Sequence, residues 1–125
     1  MNTNLKDGKL TVAFATTNLQ DIDAHFGSAK QFYVYDVSKT DFIASKIITL
    51  ESKNTDLTVQ SLSGVDIVYF ADIGPAAAAK IINSGIFPIK QKDVVSIEDE
   101  LGRLSVMLGT NPPPFIKKII EKKAA

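Results

Sequence analysis

The sequence predicts an α/β fold in which a mixed five-stranded sheet is covered on its faces by helices. Five short segments rich in β-branched and aromatic residues predict the strands, and apolar residues at helical spacing predict helices in the second half of the chain. The predicted order is β, β, β, α, β, α, β, α, α. Because crossover connections are right-handed, the later strands should lie parallel to the first, after an antiparallel meander.

The first three predicted strands occupy the first half of the chain. Leu10–Thr16 is short and apolar and predicts a buried strand. Gln31–Val37 and Phe42–Leu50 are separated by Ser38–Asp41, whose residues favour a turn, so these two strands should form a hairpin. The polar segment Thr17–Ser28 interrupts the strand pattern and is predicted to be a loop.

Helical and strand patterns then alternate. Leu57–Ser63 is weakly periodic and predicts a short helix. Val65–Ala71 is almost continuously apolar, which is typical of a strand covered on both faces. An Ala-rich helix is predicted to begin at Gly74-Pro75 and to end at Gly85.

One further strand and two helices complete the pattern. Ile86–Lys90 contains Pro88, which favours an edge strand. Ser96 and Asp99 resemble a capping box, and Asn111–Pro114 breaks the chain between two helices. Each helix has an apolar stripe, formed by Ile97, Leu101, Leu104 and Leu108 on the first and by Phe115, Ile116, Ile119 and Ile120 on the second.

Composition excludes several classes of protein. Lysine plus arginine equals aspartate plus glutamate at 14 each, and this zero net charge argues against broad electrostatic capture of nucleic acid. The chain has no cysteine, which excludes disulfides and thiolate metal sites. Its apolar runs are too short to span a membrane and Met1–Leu10 lacks a secretory hydrophobic segment, so we expect a cytoplasmic protein. Residues 1–9 are predicted to be a flexible leader and residues 10–122 a single domain.

Three segments should meet at the carboxyl ends of the parallel strands, where ligands gather in open α/β sheets. They are the loop Thr17–Ser28, the segment Ala71–Pro75 and the segment Lys90–Asp93. The second segment ends at a helix N-terminus, whose free N–H groups favour an anion. This convergence requires the first and fourth predicted strands to be parallel neighbours.

His25 is the only histidine and lies in the first of these segments. A neutral imidazole is a good ligand for iron and related metals. Phe26 can anchor the loop in the core, Gly27 permits a tight turn, and Asp21 and Asp23 could orient the ring or bind an ion. The alternative is an ordinary surface histidine with solubilising carboxylates around it.

Other polar residues point less clearly to chemistry. Asp36, Asp66 and Asp72 lie near predicted strands and could suggest paired-carboxylate catalysis, but they also fit solvent faces or strand ends. The chain contains no phosphate-loop or dinucleotide fingerprint.

The segment Val12–Val37 resembles the opening of the dinitrogenase iron–molybdenum cofactor biosynthesis family. It carries a D-x-H-F-G-type motif as Asp23-Ala24-His25-Phe26-Gly27-Ser28 between two strands. The later segment Val65–Gly85 resembles the second signature of that family, in which an apolar strand, a Gly-containing turn and a small-residue helix follow one another. The resemblance covers Leu10 to Leu108, and Pro113-Pro114-Phe115 is similar to the ending of the members dedicated to nitrogenase.

The resemblance implies a ribonuclease H-like fold and a role in nitrogen fixation. Members of the family bind the iron–molybdenum cofactor or its iron–sulfur precursor transiently, without catalysis, and carry it between the cofactor-assembly proteins and apo-dinitrogenase. The chain would then have no nucleic-acid or membrane partner. The residues implied in cofactor binding are His25, as the metal ligand, with Phe26, Gly27, Ser28 and Gly74. Lys90 and Lys92 could favour an anionic cluster.

Two alternatives remain open at this point. One is a non-catalytic interaction or regulatory module, and the other is a metal-dependent nuclease or phosphotransferase, which would need clustered acidic groups. The interaction module is supported by the amphipathic last helix, whose polar face carries Lys117, Lys118, Lys122 and Lys123.

Overall fold

A mixed five-stranded sheet lies at the centre of the protein, in agreement with the predicted fold class. The computed structural model describes residues 10–51 and 54–124. The predicted leader, residues 1–9, lies outside the described residues, and the single domain over residues 10–122 stays a prediction. The strands are β1 (Leu10–Ala15), β2 (Asp21–Ile22), β3 (Gln31–Val37), β4 (Phe42–Thr49), β5 (Ile67–Phe70), β6 (Phe87–Lys90) and β7 (Val95–Ser96). The helices are α1 (Thr55–Ser61), α2 (Pro75–Asn83), α3 (Ile97–Gly109) and α4 (Pro114–Ala124).

The strand order in the sheet is β4-β3-β1-β5-β6. β3 pairs antiparallel with both β1 and β4, so the predicted hairpin of β3 and β4 is present. β5 is parallel to both β1 and β6. The parallel neighbours β1 and β5 therefore end at the same edge of the sheet, which is the condition for the predicted convergence of loops. Pro88 lies on β6, an edge strand, as predicted.

Helices cover both faces of the sheet, and the sheet separates the core into two clusters. Val68 packs with Ile81 of α2 on one face. Its neighbour Tyr69 packs with Leu101 of α3 and Ile116 of α4 on the other face. Because successive side chains of a strand point to opposite faces, this two-sided burial explains why β5 is apolar at every position.

Local capping sets the helix ends. The Asn54 side chain accepts a hydrogen bond from the Leu57 N–H (3.1 Å), so α1 begins two residues before the predicted start. The Ser96 hydroxyl accepts from the Asp99 N–H (3.0 Å), as predicted. Gly85 follows α2 with φ of +88°, a conformation that favours glycine. No helix in residues 10–51 or 54–124 is long and apolar enough to cross a membrane.

The predicted loop Thr17–Ser28 contains regular structure that the sequence pattern did not indicate. Asp21 and Ile22 form β2, which pairs antiparallel with β7 in a separate two-stranded sheet. Ile22 is fully buried against the core beside α3. A two-residue strand carries no periodic signal, and its partner lies more than 70 residues away, so the prediction of a plain loop was wrong at this point.

Candidate functional site

The loop that follows β1 crosses the carboxyl end of β5. His25 and Asp72 form an isolated parallel bridge between the two segments. On either side of it, the Phe26 N–H donates to the Asp72 carbonyl and the Ala71 N–H donates to the Ala24 carbonyl, both at 2.8 Å. These contacts bring the first two predicted segments together. The parallel arrangement of β1 and β5 is the reason that they meet.

Side chains hold the start of this loop in a tight turn. Leu19 adopts a positive φ of 64°, which is uncommon for a residue other than glycine. The Thr16 hydroxyl accepts from the Leu19 N–H at 3.0 Å, and the Asn18 side chain accepts from the N–H groups of Gln20 and Asp21, both at 2.9 Å. These local acceptors replace the backbone partners that a strand or helix would supply.

The two carboxylates of the loop accept hydrogen bonds from other residues of the loop, and within the described residues neither is hydrogen-bonded to His25. Asp23 accepts from the Thr17 N–H (2.8 Å) and from the Thr17 hydroxyl (2.6 Å). Asp21 accepts from the Asn18 side-chain amide at 2.9 Å. The sequence offered both residues as partners of the imidazole or of an ion. In the structure they instead accept hydrogen bonds from Thr17 and Asn18 at the start of the loop.

The His25 imidazole is exposed, whereas its backbone is held by the bridge to Asp72. Within the described part of the chain, no hydrogen bond occupies its ring nitrogens. A cleft of about 580 Å³ lies beside it and is lined in part by Ser28, Lys30 and Gln31. A fixed backbone with a free imidazole is an arrangement that can offer a nitrogen lone pair to a metal.

Phe26 anchors the loop in the core. Its side chain is 2% exposed, and its ring centroid lies 5.7 Å from that of Phe32 and 6.0 Å from that of Phe70. Its N–H is used by the bridge to Asp72. The residue therefore positions its neighbour His25, and its ring faces away from solvent.

The two glycines near His25 leave open surface. A Cβ added at Gly27 or at Gly74 would meet nothing within 4 Å, and neither residue has a positive φ. Gly27 lies in a tight 3₁₀ turn, Phe26–Ser28, as expected, but its φ is one that other residues could also adopt. In that turn, the Ser28 N–H donates to the His25 carbonyl at 3.2 Å. Gly74 is the N-cap of α2. What the glycines provide is space for close approach to the backbone.

Asp72 connects the third predicted segment to the site. Its carboxylate accepts from the Ile73 N–H (2.9 Å) and pairs with the Lys90 ammonium at the end of β6 (3.2 Å). These two contacts hold the pKa of Asp72 below its ordinary value. Lys92 is exposed. The sequence left Asp72 open between a catalytic carboxylate, a solvent face and a strand end, but it placed the segment Ala71–Pro75, which contains Asp72, at the predicted convergence of loops.

Replacing Lys90 with methionine should raise the pKa of Asp72, because the opposite charge that favours the carboxylate is removed. The Ile73 N–H remains, so the pKa should stay below its ordinary value. A carbon-detected NMR titration of the Asp72 carboxyl group measures the change, and Lys92→Met is the matched control that should leave the pKa unchanged. An equal pKa in the parent and Lys90→Met proteins would contradict the role of the ion pair.

The carboxylates of Asp36, Asp66 and Asp72, which the sequence places near strands, do not form one site. Asp66 lies before β5 and accepts from the Thr11 N–H (2.8 Å) and from the Lys123 ammonium (2.7 Å). Asp36 accepts from the Thr11 hydroxyl at 3.2 Å, whereas Asp72 lies at the other end of β5. Among the residues that the structure describes, no group of three or more histidine, aspartate or glutamate side chains is placed to hold a metal ion.

Comparison with known proteins identifies similar chains. A family model described as "Dinitrogenase iron-molybdenum cofactor" matches residues 8–106. NifX of Rhodobacter capsulatus is 34% identical over 123 residues, covering 89% of this chain and 77% of that protein. NifX of Sinorhizobium fredii is 30% identical, covering 92% of this chain and 80% of that protein. The crystal structure of PH0822 has the same fold, with a TM-score of 0.66 at 21% identity over 77% of this chain and 88% of that one.

The matched region contains both segments on which the sequence resemblance rests. Residues 8–106 include the motif Asp23–Ser28 and the segment Val65–Gly85. In the structure, these segments meet at the bridge between His25 and Asp72. The resemblance is confirmed, and the chain belongs to the dinitrogenase iron–molybdenum cofactor family.

Proposed function

We propose that this protein acts in the biosynthesis or handling of the nitrogenase iron–molybdenum cofactor. More specifically, it binds the cofactor or its iron–sulfur precursor at His25 and carries it during assembly. Family membership and the similarity to NifX proteins support the general role. The observation that carries the specific role is an exposed imidazole, free of hydrogen bonds from described residues, on a backbone bridged to the end of a central strand.

The chemistry around His25 suits a cargo that must later be released. A neutral imidazole coordinates iron, whereas the chain has no cysteine to complete a thiolate cage. The space above Gly27 and Gly74 allows a bulky cluster to approach the backbone. Helix α2 begins at Pro75, three residues after Asp72. The positive end of the helix dipole lies at this N-terminus and favours an anionic cluster. A single protein ligand makes exchange easier than a closed coordination shell would.

The proposed role is non-catalytic and places the protein between two kinds of partner. A cofactor-assembly protein supplies the cluster, and apo-dinitrogenase or a later assembly protein receives it. These exchanges would take place in the cytoplasm and need neither nucleic acid nor a membrane. No observation favours the nuclease alternative, because the carboxylates of Asp36 and Asp66 lie at the opposite end of β5 from Asp72.

Anaerobic titration with isolated cofactor, and separately with isolated iron–sulfur precursor, tests the proposal. We expect the parent protein to retain iron and visible absorbance after desalting. His25→Ala should weaken uptake by at least about tenfold, since loss of a group that holds a metal typically has effects of this size or more. Lys39→Ala is the control, because Lys39 is exposed and lies in the turn between β3 and β4, outside this cleft.

Two results would contradict the proposal. Equal uptake by the parent and His25→Ala proteins would remove His25 from cluster binding. Cluster-free protein that binds assembly proteins with the same affinity before and after His25→Ala, and takes up no cluster, would favour the interaction module instead. Circular dichroism of both variants shows whether the fold is intact.

A further inference from the structure

A second concave surface, which we call the β6–α4 groove, lies away from His25. It has a volume of about 720 Å³ and runs between the end of α2, the edge strand β6 and α4. Its apolar lining includes Ile82, Phe87, Phe115 and Ile119. The rings of Phe87 and Phe115 stack with centroids 4.4 Å apart, which joins β6 to α4 in one wall.

The apolar lining of the groove is open to solvent. Ile82 is 59% exposed and Phe87 is 39% exposed, although both are large apolar side chains. Adjacent exposed apolar residues at a concave surface are typical of binding sites, whereas scattered ones need no explanation. Their common place in one concave lining distinguishes these two residues from Val106 on α3, which is equally exposed but lies outside the groove.

The edge strand beside the groove disfavours a partner that adds a strand. The N–H groups of Phe87 and Gln91 donate inward, to the carbonyls of Asp66 (2.9 Å) and of Phe70 on β5 (2.8 Å). By alternation, the nitrogen of Pro88 faces outward, where it has no hydrogen to donate. Main-chain pairing along this edge would therefore lack a bond, and side chains in the groove provide the better contact surface.

The charges of the groove have one sign. Lys118 and Lys122 line it, and no acidic side chain belongs to its lining. Neither ammonium is paired with a carboxylate in the described part of the chain, whereas Lys123 on the same helix pairs with Asp66. The Lys122 ammonium lies above Gly85, 3.3 Å from the point that a Cβ there would occupy. An occupant with acidic groups would complement both lysines.

We propose that the β6–α4 groove binds an amphipathic, acidic helix of a partner protein. The apolar face of the helix would contact Ile82, Phe87 and Phe115, and its acidic residues would pair with Lys118 and Lys122. The groove includes Phe87, at the amino end of β6, whereas Lys90 at the carboxyl end of the same strand contacts Asp72. A partner can therefore dock there while the His25 surface stays accessible.

Synthetic peptides of about 18 residues provide the probe, since this length gives five turns of helix. One peptide has leucine at helical spacing with glutamate at the polar positions, and a second has lysine in place of glutamate. A third has the composition of the first in an order that removes the apolar face. Fluorescence anisotropy should show that the acidic amphipathic peptide binds at least about tenfold more tightly than the other two.

Variants then locate the peptide. Ile82→Asp, and the double change Lys118→Glu with Lys122→Glu, should each weaken binding by at least about tenfold. The matched controls are Val106→Asp, at an equally exposed apolar residue, and Lys117→Glu, on the same helix but outside the groove. Both controls and His25→Ala should bind the peptide as the parent does. All the substituted residues are largely exposed, so the fold should be retained.

Several results would overturn the proposal. They are equal binding of the acidic and basic peptides, no binding of the acidic peptide, or unchanged binding by the Ile82→Asp protein. Sedimentation that reveals a dimer dissociated by Ile82→Asp would assign the groove to a second copy of this chain instead. Because no cluster is present in these experiments, their outcome is independent of cluster binding at His25.

Discussion

Replacing Phe26 with alanine should lower the free energy of unfolding by about 3–5 kcal/mol, the usual cost of truncating a buried phenylalanine. The ring contacts Phe32 and Phe70 in the core cluster beneath the loop. Its loss leaves a cavity and also removes the anchor of the loop that carries His25. Amide hydrogen exchange should therefore rise at Phe26 and Ala71, whose N–H groups join the loop to the segment after β5.

Urea unfolding, with hydrogen exchange followed by NMR, measures both effects. Phe87→Ala is the control, because Phe87 lies on the edge strand β6 and is 39% exposed, so that its truncation should cost less. A loss below about 1 kcal/mol in the Phe26→Ala protein would contradict the anchoring role. Cluster uptake by this variant should also weaken, since the imidazole would no longer be held in place.

Replacing Tyr69 with phenylalanine should lower the free energy of unfolding by about 1–3 kcal/mol, because a buried acceptor loses its donor. The Tyr69 hydroxyl donates to the Glu100 carboxylate at 2.6 Å, and Glu100 is only 4% exposed. Arg103 also donates to Glu100, at 3.2 Å, so the carboxylate keeps one partner. The pair joins β5 to α3, and its loss should not change the fold.

The pH dependence of this loss has a definite sign. Burial and the hydrogen bond to Glu100 raise the pKa of Tyr69 above its ordinary value of 10.0. Between the unfolded and folded pKa values, unfolding releases a proton, so the contribution of Tyr69 to stability is complete below pH 10 and is lost as the pH rises above it. The difference between parent and Tyr69→Phe proteins should therefore be constant below about pH 9 and should shrink at higher pH. Burial likewise raises the pKa of Tyr35 to about 12. The contribution of Tyr35 to the pH dependence of stability is the same in the parent and Tyr69→Phe proteins.

Chemical unfolding across this pH range tests the prediction. The double variant Tyr69→Phe with Glu100→Leu provides the control, because it removes donor and buried acceptor together. It should recover part of the lost stability, since no buried carboxylate of α3 is left without its tyrosine donor. A double variant less stable than Tyr69→Phe alone would show that Glu100 contributes mainly through Arg103.

Much of the fold could be predicted because burial leaves a local trace in the sequence. β5 is buried on both faces and is apolar at every position, and α3 shows its apolar stripe at helical spacing. Pro88 indicated an edge strand because proline has no N–H to donate to a second neighbouring strand. The pairing of β2 with β7 could not be predicted in this way, because two-residue strands have no period.

The candidate site, like the fold, could be predicted from the sequence only in part. The sequence by itself determined that the chain has one imidazole, no thiolate, and a D-x-H-F-G-type motif between two strands. Only the tertiary structure decided that His25 bridges to Asp72, that Lys90 pairs with Asp72, and that Asp23 accepts a hydrogen bond from Thr17. The physical reason for the first two is distance along the chain, whereas the contact of Asp23 with Thr17 is local and depends on the path of the loop. Propensity and periodicity report local burial, whereas the partners of His25 and Asp72 are set by which strands are neighbours in the sheet.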